Sequence, residues 1–187
     1  MPLDQNSLVE RCRAIDALVL DVDGTLTDGR IIYGDDGVES KQFHVRDGSG
    51  LKFWAAAGKR AAIVTGRRSD VVSRRASELG ISLVYQGVSR KDAVWAELLT
   101  VWNCPGEHVA VVGDDLPDLP LFRRAGLRIA VADAAPEVQQ AADYVTRKRG
   151  GRGAVREVIE LILQAQGRWT SVVESYGDGA WRQGNPP

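Results

Sequence analysis

The sequence predicts an α/β fold, a parallel sheet with helices on both faces and a small β-hairpin flap inserted after the first strand. Two observations predict it. Short apolar runs alternate with helical patterns along most of the chain, and the links between them are short, as in β-α units whose crossovers bring successive strands parallel. One segment, just after the first run, breaks that rhythm with two strand-like stretches around a glycine-containing turn. At 187 residues, 44% hydrophobic and 26% charged, the chain has the size and composition of one soluble domain with a proper core.

The elements follow in order. Residues 17–20 (Ala-Leu-Val-Leu) are a short apolar run that reads as a buried strand. Arg30-Ile31-Ile32-Tyr33 and Ser40-Lys41-Gln42-Phe43-His44-Val45 then flank Gly34-Asp35-Asp36-Gly37, a hairpin signal. An isolated two-stranded hairpin is marginal in water, so Ile31, Ile32 and Phe43 need a partner, for which a neighbouring subunit is a candidate. Further strands are expected at 61–65, 83–85, 109–112 and 128–131, with a weaker one at 144–145. Helices are expected at 50–57, 69–79, 91–101, 117–125 and 136–142. In a last helix, 154–166, Val155, Val158, Ile159, Ile162 and Leu163 recur at helical spacing. No internal repeat or interdomain linker is evident, so residues 1–167 read as one domain with a flap at about 29–45. The tail, 168–187, is rich in glycine and proline and argues against regular structure, while Trp169 and Trp181 argue for docking, on a neighbouring subunit if anywhere.

Charge and cysteines exclude several classes. The formal net charge of −1 provides no basic field for nucleic acid. Cys12 and Cys104 make no disulfide framework and no CxxC pair. Asp4, Glu10, Arg11, Arg13 and Asp16 near the start fit neither a signal peptide nor a membrane span, so a cytoplasmic enzyme without membrane contact is expected.

Chemistry gathers where strands end. After 17–20 come Asp21 and Asp23, then Gly24, which favours a turn that curls both carboxylates around one point at the carboxyl end of the sheet. An Asx-rich turn would explain the pair taken alone. Two converging anions call for a cation, and hard oxygen ligands suit Mg²⁺. Thr65-Gly66-Arg67 follows the next strand, where a hydroxyl and successive amides form an oxyanion cradle. Lys91 opens a helix, a position the helix dipole disfavours for a cation, which suggests a functional charge. Gly113-Asp114-Asp115-Leu116-Pro117-Asp118 sets three acids in five residues after a core strand; Asp115 as a helix cap would account for part of that cluster but not all of it.

These motifs resemble those of the haloacid dehalogenase superfamily: Asp21-Val22-Asp23-Gly24-Thr25 its DxDGT motif, Thr65-Gly66-Arg67 its second, Lys91 its third and Gly113-Asp114-Asp115 its fourth. A hairpin in place of a cap domain is similar to the capless subclass, with a Rossmann-like sheet. The resemblance narrows to the phosphatases of 3-deoxy-D-manno-octulosonate 8-phosphate, of lipopolysaccharide sugar synthesis. It does so through Asp28-Gly29, Phe43-His44-Val45-Arg46-Asp47-Gly48-Ser49-Gly50, Tyr85-Gln86-Gly87, Val131-Ala132-Asp133-Ala134, Ala142-Asp143-Tyr144-Val145-Thr146 and Gly150-Gly151-Arg152-Gly153-Ala154-Val155-Arg156-Glu157.

The resemblance implies Asp21 as nucleophile, Asp23 as general acid and base, and Mg²⁺ held by the Asp21 side chain, the Asp23 carbonyl and Asp114. It implies Thr65, the Gly66 amide and Lys91 on the transferring oxygens, with Asp115 orienting Lys91 or a metal-bound water. Around the sugar phosphate it implies Asp23, His44, Val45, Arg46, Asp47, Gly48, Lys52, Gly66, Arg67, Arg75 and Lys91. Lys52 departs from the arginine usual in that branch. The resemblance also implies a homotetramer packed through its hairpins. Three other readings stand beside it: a phosphatase of a nine-carbon sugar acid 9-phosphate, a non-catalytic phosphatase-like module, and a phosphoacceptor signalling domain.

Overall fold

A computed structural model describes residues 3–177 and shows a six-stranded sheet in the order β5-β4-β1-β6-β7-β8, parallel throughout. Its strands are β1 (Ala17–Leu20), β4 (Arg60–Val64), β5 (Leu83–Tyr85), β6 (Val109–Gly113), β7 (Leu127–Ala130) and β8 (Tyr144–Val145), each within a residue of its apolar run. Every residue of β1 and β6 is buried, as expected for central strands covered on both faces. From β1 the chain moves outward to β4 and β5, then returns to lay β6 on the other side of β1. The carboxyl ends of β1 and β6 therefore flank the switch point, the crevice where open α/β sheets hold ligands. Register makes this concrete, because Leu20 lies opposite both Ile63 and Val112. Asp21, Thr65 and Asp114 consequently leave the sheet at one edge.

Helices α2 (Val45–Ala56), α3 (Asp70–Leu79) and α7 (Ala154–Ala165) gather in one layer, joined by α1 (Gln5–Ala14). The helices α4 (Trp95–Trp102), α5 (Leu119–Phe122) and α6 (Pro136–Ala141) follow β5, β6 and β7 on the other. The five apolar positions of α7 noted in the sequence are all fully buried. Among the described residues no helix is long and apolar enough to cross a membrane.

Four features differ from the sequence reading. The hairpin strands are only two residues each, β2 (Ile32–Tyr33) and β3 (Glu39–Ser40). α2 begins at Val45, so the stretch expected to leave a strand is the first turn of a helix. α1 was not expected; its N-cap Asp4 accepts from the Asn6 and Ser7 amides, and only Cys12 on it is buried. The tail is regular at its start. Trp169–Gly177 forms α8, whose Trp169 and Tyr176 rings meet Phe53 edge-on at 5.9 and 5.4 Å within the same chain. The docking aromatic expected at Trp181 lies outside the described residues.

Candidate active site

The chain turns immediately after β1. Gly24 takes φ +97°, and a side chain there would run into the Asp114 carboxylate, so glycine serves both the turn and a close approach. The Asp21 amide still donates to Val112 at 3.1 Å, which fixes the nucleophile candidate to the sheet edge. Thr25 reaches across and donates to Asp114 Oδ1 at 3.2 Å. The two acid-bearing turns are thereby tied together.

Lys91 enters from a short 3-10 turn, Lys91–Val94, ahead of α4. It is 4% exposed, and its Nζ donates to Asp21 Oδ1 and to Asp118 Oδ1, each at 2.6 Å. Asp118 is equally enclosed. Its second oxygen accepts from the amides of Asp114 and Asp115 at 3.0 and 3.3 Å. Asp118 thus holds the lysine with one oxygen and the Asp114 backbone with the other.

The electrostatics follow from this crowding. Burial and then the charge of Asp118 push the Asp21 carboxyl up to about 6, against the pull of Lys91. Asp114 is pushed up to about 8, by burial and then by the charges of Asp21 and Asp118. Burial alone would lower Lys91, but the two carboxylates more than offset it, so the ammonium stays charged. Oxygens of Asp21, Asp114 and Asp118 all lie within 4.8 Å of one another. One lysine does not balance three such acids, and an oxygen-only donor set suits a hard divalent cation. Both Asp118 oxygens already have partners, whereas Asp21 and Asp114 each keep an oxygen that could bind a cation.

The remaining sequence-predicted residues divide. Thr65 is buried at the end of β4, its backbone bonded to Tyr85 and Val88, and Gly66 is exposed beside it. Asp23 is reached by the flap, where Lys41 Nζ donates to its carboxylate. Arg67 faces the flap as well, donating to Glu39 and to the Tyr33 hydroxyl, both at 3.1 Å. His44, Val45 and Arg46 stand at the entry to α2, with Val45 and Arg46 exposed. Arg75 of α3 lies over the Phe43 ring at 5.8 Å, beside Gly48, where any side chain would collide with its guanidinium. Lys52, further along α2, is exposed, and no described contact joins it to the acids.

Two expected roles shift. Asp115 is exposed and caps the 3-10 turn Leu116–Asp118 by accepting from the Leu116 amide at 2.8 Å, so the orienting of Lys91 falls to Asp118. Asp47 is buried, and its two oxygens accept from the Gly153 and Arg156 amides at 3.1 and 2.8 Å. Its carboxylate therefore caps α7 and is not free for a sugar hydroxyl. Sequence reasoning missed Asp118 and Lys41 as site residues. The acid spacing signalled the first, whereas nothing local signalled the second.

Comparison with known proteins agrees with this geometry. A family model described as haloacid dehalogenase-like hydrolase matches residues 81–159. The chain is 47% identical over 161 residues, 86% of each sequence, to the 3-deoxy-D-manno-octulosonate 8-phosphate phosphatase KdsC of Yersinia pestis. It resembles the crystal structure of the same phosphatase from Moraxella catarrhalis, in complex with magnesium, phosphate and KDO, at 42% identity and TM-score 0.90, over 92% of this chain and 99% of that one. The cobalt-bound form from Haemophilus influenzae is similar at 39% identity and TM-score 0.86, covering 91% and 99%.

Proposed function

The chain belongs to the 3-deoxy-D-manno-octulosonate 8-phosphate phosphatase family of haloacid dehalogenase-like hydrolases, and from that premise we propose that it releases phosphate from this eight-carbon sugar acid through an aspartyl-phosphate. It is a phosphoric monoester hydrolase with Mg²⁺ as its cofactor. The observation that carries the mechanism is the Lys91 ammonium, 2.6 Å from both Asp21 and Asp118 at the switch point of the sheet. Asp21, Asp114 and the Asp23 carbonyl would hold the ion, which when bound offsets repulsion between these acids and the substrate phosphate.

The residues divide the work. An Asp21 oxygen attacks phosphorus in line as the bond to the sugar oxygen breaks. Asp23 gives its proton to the leaving alkoxide, then takes one from the water that cleaves the aspartyl-phosphate and frees inorganic phosphate. Lys91, held by Asp118, keeps the Asp21 oxygen aimed, while the Thr65 hydroxyl and Gly66 amide are placed to meet the transferring oxygens. Arg46, exposed at the entry to α2, is suited to grip the sugar carboxylate with its planar fork.

The reading extends to assembly. The flap exposes Ile31, Ile32, Tyr33 and Val38, apolar surface that a homotetramer packed through its hairpins would cover. The proposed organisation is one phosphatase domain, 1–167, followed by a C-terminal segment, 168–187, and a cytoplasmic location. Phosphate release from a panel of sugar phosphates with Mg²⁺, wild type beside Asp21→Asn, tests the function. Strong preference for the eight-carbon acid, abolished in the variant, is expected. Preference for a nine-carbon acid 9-phosphate would move the substrate and keep the mechanism, and silence across the panel would sink the enzyme reading.

A further inference from the structure

A lysine just after a two-residue surface strand belongs in water, yet the Lys41 side chain is 0% exposed. Its ammonium donates to Asp23 Oδ1 and stands 3.6 Å from Glu39 Oε1. Glu39 in turn accepts from Arg67, which also donates to Tyr33. A chain of alternating charge, Asp23–Lys41–Glu39–Arg67, therefore runs from the turn after β1, through the flap, to the turn after β4. Lys41 is the hydrogen-bond partner of the Asp23 side chain among the described residues. Asp23 itself sits beside Gly24 in the turn after β1, and its side chain is 18% exposed.

We propose that Lys41 is a positioning residue for Asp23. The flap delivers an ammonium that fixes the carboxylate in the rotamer from which it meets the leaving oxygen, and Glu39 and Arg67 hold that ammonium in place. The flap is thus part of the acid–base apparatus as well as a surface for assembly. A side chain two bonds long can aim its oxygens away from the sheet edge, and misplacement of a reacting group by about 1 Å is enough to cost a large part of its effect. The inference rests on the acid–base role proposed for Asp23.

The test is a double-mutant cycle on the full chain: Lys41→Met, Asp23→Asn and the two together, with Lys41→Arg and Glu39→Gln as milder variants. kcat and KM are measured on 3-deoxy-D-manno-octulosonate 8-phosphate. The pre-steady-state burst is measured on p-nitrophenyl phosphate, whose phenolate leaves without needing a proton. Lys41→Met should lower kcat on the sugar phosphate about ten- to hundredfold, part of what general acid–base catalysis supplies. KM should stay within about threefold, and the added loss in the Asp23→Asn background should be under about twofold, because the lysine acts through the aspartate. The p-nitrophenol burst should persist, and Lys41→Arg should recover part of the loss. Glu39→Gln, which keeps the hairpin's size, should show a smaller loss of the same pattern even if Lys41→Met fails to fold.

Multiplying losses in the double variant, or a loss confined to KM, would make Lys41 a substrate contact and overturn the proposal. So would an equal loss of the burst, or kcat unchanged in both Lys41→Met and Glu39→Gln. If Asp23→Asn alone left sugar-phosphate turnover intact, the acid–base reading would fall first and this proposal with it.

Discussion

Replacing Lys91 by methionine tests the electrostatic reasoning most directly. The ammonium is 4% exposed and bonded at 2.6 Å to two carboxylates, so Lys91→Met keeps much of the volume and removes the only positive charge bonded to them among the described residues. Breaking a buried pair by deleting one partner costs about 3–5 kcal/mol, because the surviving charges stay desolvated. Two features reduce this here. Asp118 keeps its bonds from the Asp114 and Asp115 amides, and Asp21 can escape by taking up a proton. The Asp21 carboxyl already stands at about 6 with the lysine present, above its ordinary 3.8. An acid raised in this way makes the fold less stable as pH climbs from its unfolded value through its folded one. At pH 8, protonating such a group costs about 2.7 kcal/mol, and at pH 6 well under 1 kcal/mol. The loss should therefore be about 3 kcal/mol at pH 8 and about 1 kcal/mol at pH 6. In a protein of this size that is a Tm lower by roughly 6–12 °C at pH 8 and roughly 2–4 °C at pH 6. Calorimetry of metal-free wild type and variant at both pH values reads it directly. An equal drop at pH 6 and pH 8, or no drop at either, would refute the argument that the lysine holds the buried Asp21 carboxylate ionised.

Two further predictions rest on the shifted roles. Asp118→Asn sets an amide NH₂ against either Lys91 or two backbone N–H donors; since bonds to charged groups are worth about 1.5–3 kcal/mol each, kcat should fall about ten- to hundredfold in steady-state assays, and an unchanged kcat would return the orienting of Lys91 to another residue. Asp47→Ala removes the acceptor for the Gly153 and Arg156 amides, so thermal denaturation should show a Tm lower by roughly 2–6 °C with KM changed less than about twofold. A large rise in KM at unchanged Tm would put Asp47 back in the sugar site.

What the sequence made legible is what local physics decides. Strands covered on both faces must be apolar throughout, so the central runs stood out, and polar residues at their carboxyl ends marked Asp21, Thr65 and Asp114. α2 was misjudged at its start because Gly48 and Gly50 are poor helix formers. Both are there for contact: a Cβ on Gly50 would stand 3.0 Å from Arg156 Cδ of α7, and one on Gly48 would strike Arg75. Tertiary packing overrode propensity at that point. α1 carries a core-facing stripe of just Leu8 and Cys12, and α8 precedes a glycine- and proline-rich end, so periodicity was faint in one and masked in the other, although Trp169, Val172 and Tyr176 share a face of α8.

The assignment of individual acids was harder for a different reason. A carboxylate's job depends on partners far along the chain: Lys91 meets Asp21 across 70 residues and Asp118 across 27. Whether Asp115 or Asp118 reaches that lysine turns on one 3-10 turn, Leu116–Asp118, that points one acid to solvent and folds the other under the sheet edge. The same holds for Lys41, an unremarked lysine in the hairpin sequence that becomes enclosed only because the flap folds back over Asp23. Residue types and spacing place a reservoir of charge at the right edge of the sheet. The turns that follow each strand, and the flap laid across them, decide which charge attacks, which holds and which only caps a helix.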